Sequence, residues 1–124
     1  MPALISYDYA IVRIVPHVER EEFINVGVIL LCRERRFLDA RSKPDAARLA
    51  ALAPDLDTTA AQAQLDLIQQ ICAGVGLLGE LTQAERFRWL TAPRSTALQV
   101  SPAHVGLCAD PKAELDLLFK KLIA

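Results

Sequence analysis

The run Ile24–Cys32, INVGVILLC, constrains the fold more than any other stretch of the chain. Aliphatic and β-branched residues dominate it, which suits an extended, pleated backbone. Period-two alternation places Ile24, Val26, Val28, Leu30 and Cys32 on one face, and Asn25, Gly27, Ile29 and Leu31 on the other. Both faces are mostly apolar, so the strand belongs in the middle of a sheet with cover on each side.

The neighbouring segments supply the rest of that sheet. Tyr7–Val15, YDYAIVRIV, reads as a strand that ends at Pro16, which has no amide to give to a ladder. His17 to Glu22 is a charged connection. Arg33 to Arg36 forms a polar turn, and Phe37–Ala40 is a short third strand. These three are expected to pair as an antiparallel meander. A fourth strand is expected near Ala97–Ser101.

The middle of the chain has helical periodicity. Pro44 suits the first turn of a helix running to about Ala53. Asp57 or Thr58 caps the next helix, which runs through Leu65, Ile68, Ile71, Cys72 and Val75 at helical spacing. Gly74, Gly76 and Gly79 mark its end or a loop. Thr82 with Glu85 forms a capping box for a helix carrying Phe87, Trp89 and Leu90. Asp110 and Pro111 open the last helix, with Leu115, Leu118, Phe119 and Leu122 as its stripe. The expected fold is therefore α+β: one domain over residues 1–124, an antiparallel sheet of about four strands, and helices mainly on one face.

Charge and cysteine usage narrow the function classes. The 14 basic and 15 acidic residues leave a net charge of -1, without the basic excess that drives nucleic-acid binding. The cluster Arg33, Arg35, Arg36 is interrupted by Glu34 and reads as a solvated turn. Cys32, Cys72 and Cys108 are widely spaced with no CxxC pair, so they read as buried, reduced thiols in a cytoplasmic protein, and no metal site or cofactor is implied. Glu19, Glu21, Glu22 and His17 read as a solvated loop rather than a metal site. Residues Met1 to Val15 lack the basic start and apolar core of a signal peptide, and no apolar run is long enough to span a bilayer. The three glycines after the second helix do not follow a strand, so they are no dinucleotide fingerprint.

The candidate site residues lie around Thr91-Ala92-Pro93-Arg94-Ser95-Thr96. Arg94 offers a bidentate fork to phosphate or carboxylate, and Ser95 and Thr96 add hydroxyl or amide donors. The competing reading pins Arg94 to an internal carboxylate, Asp8, Glu19 or Glu22. His104 is the best acid/base candidate, although no nucleophile-elbow sequence supports Ser95 or Ser101 as its nucleophile. Asn25 needs partners in an apolar strand, and Gly27 beside it admits a close backbone or ligand. Arg13 shares a strand face with Tyr7, Tyr9 and Ile11. If that face is also Asn25's, Arg13, Asn25 and Arg94 line one polar pocket.

Three stretches together carry a family resemblance: Tyr7-Asp8-Tyr9 through Arg13-Ile14-Val15-Pro16, Glu22 to Val28, and Phe87 through Thr96 to Leu107. The chain resembles the small bacterial proteins catalogued as domain of unknown function 3037. Cys108 and Ala109 depart from the pattern, standing where polar residues are commoner. The resemblance implies a bacterial single-domain protein with no established activity. It also implies a gene neighbourhood shared with HipA-like kinases, which makes such a kinase a candidate partner by association.

No complete catalytic constellation can be written from these residues. The expectation is a non-catalytic accessory or protein-interaction module, with a protein partner or a homodimer and no nucleic acid or membrane. An exposed apolar patch on the last helix, or around Trp89, would favour this. The rival is an enzyme or binding protein for a phosphorylated or carboxylated small molecule, with Arg94 and Arg13 as candidates on the anion and His104 as acid or base.

Overall fold

A computed structural model describes residues 3–16, 18–93 and 97–123, with Val18 described in its backbone alone. Strands β1 (Ile5–Ile14), β2 (Ile24–Cys32) and β3 (Phe37–Ser42) come first, followed by helices α1 (Ala46–Leu52), α2 (Thr58–Cys72) and α3 (Gln83–Leu90). Strands β4 (Leu98–Val100) and β5 (His104–Cys108) and helix α4 (Pro111–Leu122) complete the chain. All strand pairs are antiparallel, and β2 lies between β3 and β1. The ten residues of β1 accommodate two short strands end to end on its other side: β4 against Val12–Ile14, and β5 against Ile5–Tyr9. The fold is α+β, and β5 is a strand that the sequence reading does not contain.

The helices start where side chains can satisfy their free amides. Asp45 accepts from Ala47 and Arg48 at α1, and Asp57 accepts from Ala60 at α2. Thr82 and Glu85 form the full capping box of α3. Backbone and side-chain hydrogen bonds from Thr82 hold the Glu85 carboxyl below its ordinary range. Asp110 caps α4, with Pro111 in the first turn. Gly74, at φ 79°, turns the chain out of α2 in the left-handed region.

The alternation expected for β2 needs one correction. Val12 pairs with Gly27, but Arg13 pairs with Asn25, so Val26 is an extra residue in β2. This bulge shifts the period by one residue. Ile24 and Val26 face the core under α1, α2 and α3, and beyond the bulge Ile29 and Leu31 take over that face. Val28, Leu30 and Cys32 face the other way, into a second cluster with Ile5, Tyr7, Cys108 and Leu115. That second cluster lies under α4, so three helices cover one face of the sheet and one covers the other. Both faces of β2 are buried, as its composition requires.

Helix α4 packs mainly over β2 and β3, with Leu115 also in the cluster of Ile5 and Tyr7 on β1. Leu115 and Phe119 are buried, and Leu118 and Leu122 pack at the margin. Arg41 on β3 stacks over Phe119 and pairs with Asp116 at 2.6 Å. This pair is half exposed, so it orients α4 more than it stabilises it. None of the described helices is long and apolar enough to cross a membrane.

Candidate functional site

The join between β4 and β5 shapes the outer edge of the sheet. The Ser101 amide donates to the Ile11 carbonyl at 2.8 Å, and the Ile11 amide donates to Ser101 Oγ at 2.9 Å. The hydroxyl in turn donates to the Pro102 carbonyl. Ser101 is buried, and its side chain completes the ladder where the outer strand breaks. Ile11 lies opposite Ser101 while Tyr9 lies opposite His104, so the outer strand carries one extra residue here. Pro102, which has no amide to donate, sits in that interval.

This geometry fixes which way the β5 amides point. Ile11 directs its polar groups toward the outer strand, and alternation makes Tyr9, Tyr7 and Ile5 do the same. Their partners His104, Gly106 and Cys108 therefore bond inward. Val105 and Leu107 point their N–H and C=O groups outward, where no strand lies among the described residues. Their side chains are 71% and 62% exposed, and Leu4 beside them is 63% exposed. Together they form an apolar strip on the part of the sheet that α1, α2 and α3 do not cover. The Asp8–Arg33 ion pair, at 2.8 Å, borders it.

The opposite face of β5 is aromatic. Tyr7 lies over Gly106: a Cβ added there would fall 2.5 Å from the phenol oxygen. Tyr7 also lies 5.9 Å from Tyr9, and Tyr9 lies 5.2 Å from His104, centroid to centroid. Burial, followed by the neighbouring Glu114 carboxylate, pushes the Tyr7 phenol up to about 12. Burial raises the Cys108 thiol as well, with Cys32 adding to the effect. All three cysteines are buried and free.

The residues singled out from the sequence fall into three groups. Arg13 and Asn25 are direct cross-strand partners and share a face. Gln99 flanks Arg13 on its other side. The Arg13 guanidinium stacks 4.5 Å over the Phe23 ring, and Asn25 Oδ1 is buried without a hydrogen-bond donor. His104 stands four residues further along β1, roughly 13 Å away at ~3.3 Å per residue, so it does not join that pair. Arg94, Ser95 and Thr96 lie outside the described residues, as does His17. Asp8, one carboxylate considered for Arg94, is bonded to Arg33. The space above Gly27 is taken by β3, whose Arg41 carbonyl would lie 3.0 Å from an added Cβ.

Two apolar features lie elsewhere. A cleft of about 250 Å³ between α2, α3 and β4 is lined by Leu67, Ile68, Trp89, Leu90, Leu98 and Val100. Trp89 is 40% exposed there, and Leu117 on the outer side of α4 is also exposed. No three metal-ligating side chains converge among the described residues.

Fold and edge define the class of protein: a small α+β domain with an antiparallel sheet between helical layers and, among the described residues, one uncharged sheet edge left open. The chain belongs to the family described as Protein of unknown function (DUF3037), which matches it over residues 9–123. No curated protein and no solved structure matches it.

Proposed function

We propose that this chain is a non-catalytic interaction module that engages an extended segment of a partner along the outer edge of β5. The supporting observation is that Val105 and Leu107 present both their amides and their apolar side chains outward. Strand addition needs these two features: main-chain bonds supply affinity, and alternate side chains supply specificity. The two edges of the sheet differ. β3 carries Asp39 and Arg41 and runs into Lys43-Pro44, the residues with which proteins blunt an edge. No Asp, Glu, Lys or Arg occurs between Gln99 and Asp110. A HipA-like kinase is the first heterologous partner to test, on the strength of the family resemblance. The test compares capture by the full chain and by Val105→Lys/Leu107→Lys. Both positions are exposed, so the fold is retained and edge-dependent partners are lost. An unchanged set of captured partners sinks the reading.

One observation favours a second reading, a site for a carboxylated or phosphorylated small molecule. Asn25 Oδ1 lacks a donor while the cationic Arg13 lies directly opposite it. In this reading Arg94, Ser95 and Thr96 complete the site. Chemical-shift titration with inorganic phosphate and acetate then moves Asn25 and Arg13 together, and Arg13→Ala removes the response. If neither ion moves them, the small-molecule reading fails.

A further inference from the structure

We propose that the cleft between α2, α3 and β4 is a binding site for an uncharged bicyclic aromatic molecule with one amide-like polar group. The site is separate from the β5 edge and from the Arg13–Asn25 pair, so it stands or falls independently of both. The cleft exists because the helical layer does not reach across the sheet. α2 packs mainly on β3, and α3 on β2 and β3, whereas β4 lies on the far side of β1. Leu98 and Val100 of β4 turn toward the helices and meet a gap that neither helix fills. Ile68, Leu90 and Leu98 are buried and form its floor. Leu67 and Trp89 are half exposed and stand at its mouth.

Size and lining chemistry select the occupant. The cleft holds about 250 Å³. An apolar cavity of about 150 Å³ accepts benzene, so in proportion this one accepts about ten ring atoms, or two fused rings. The described lining contains no Asp, Glu, Lys or Arg, so an ion entering it would lose its hydration without gaining a partner. Clefts elsewhere carry a charged side chain, such as Asp66 beside α1 or Arg48 beside Phe23. Trp89 offers an indole wall, against which a ring gains more than an aliphatic chain of equal area. Gln64 is the only polar side chain of the described lining other than the Trp89 indole. Its amide offers both a donor and an acceptor, the complement of a lactam or carboxamide.

Trp89 is the only tryptophan of the chain, so one indole N–H resonance reports on the cleft. The test titrates the full chain with 2-quinolinone, naphthalene, naphthalene-2-carboxylate and 1-octanol while following that resonance. Both neutral bicyclic probes shift it saturably, 2-quinolinone at the lower concentration, and the carboxylate and the alcohol bind at least tenfold more weakly. Gln64 and Leu67 are exposed, so substitutions there retain the fold. Gln64→Leu weakens 2-quinolinone by about tenfold and leaves naphthalene unchanged. Leu67→Glu weakens both by about tenfold or more, because a carboxylate then loses water against the ring. No shift with either neutral probe overturns the site, and so does a shift that Leu67→Glu leaves intact. Equal binding of the carboxylate or of 1-octanol overturns the ligand class. Equal loss of both neutral probes in Gln64→Leu overturns the role of the amide.

Discussion

Gly79→Ala lowers the stability of the domain by about 3 kcal/mol or more, which a shift in the urea midpoint at unchanged slope will register. Gly79 sits in the 3₁₀ turn Leu77–Glu80 that follows α2. A Cβ added to it would collide with the Gly74 carbonyl oxygen and lie 2.7 Å from the carbonyl carbon. Both are backbone atoms, so no side chain can swing aside. Gly74 has little freedom to yield, because its amide bonds the Ile71 carbonyl and its own φ is 79°. Gly76→Ala is the informative control. Nothing lies within 4 Å of its added Cβ, and its φ of 89° is the sole penalty. With ψ at -170° this is a conformation reserved for glycine, and that variant costs roughly 1–3 kcal/mol. If the two variants cost the same, the contact between Gly79 and Gly74 is not what shapes this turn.

Arg86→Ala costs about 2–3 kcal/mol, part from the lost side-chain packing and part from an unsatisfied carbonyl. Arg86 is buried on α3, and its Nη1 donates to the Ile71 and Cys72 carbonyls at 2.8 and 3.1 Å. These are the last carbonyls of α2, where a cation also complements the helix dipole. Ile71 keeps the Gly74 amide when the arginine is removed, so the Cys72 carbonyl bears most of the loss. Arg86 Nε has no partner, which reduces the net value of burying the guanidinium. Arg86→Met separates the contributions: it retains most of the stem and recovers the packing share. Equal losses in the two variants would place the whole effect in the hydrogen bonds. Beside this arginine, burial and then the Asp39 carboxylate push the Cys72 thiol up to about 12, against a smaller opposing effect of Arg86.

Local chemistry was readable wherever a residue acts on its own neighbours. Asp57, Thr82 with Glu85, and Asp110 with Pro111 cap helices at the positions their side chains suggest. The span of β2 follows from its run of apolar residues, interrupted by Asn25 alone among polar side chains. The bulge at Val26 was not readable, because it depends on the register of β1 against β2 and leaves no compositional mark. Nor was β5: five residues after a proline give a weak strand signal, and its partner is almost the whole chain away at β1. The alternation of Val105 and Leu107 was the one available clue. Arg86 resembled an ordinary surface arginine of an amphipathic helix. Only the packing of α3 against the end of α2 shows where its guanidinium goes.

The same division runs through the candidate site. The pairing of Arg13 with Asn25 on one face was foreseen conditionally, and the cross-strand register brings the two together. The separation of His104 from them comes from its place opposite Tyr9. By itself, the sequence determined the α+β class, the starts of α2, α3 and α4 and the central place of β2, while α1 starts after Pro44, with Asp45 as its cap. These depend on side chains a few residues apart and on hydrophobic periodicity. Tertiary structure decided which β2 residues face which helical layer, what Arg86 caps, and that Val105 and Leu107 form an open edge. The first and last depend on the register of one strand against another, where a shift of one residue reverses what faces inward and what faces out, and the second depends on the packing of α3 against the end of α2.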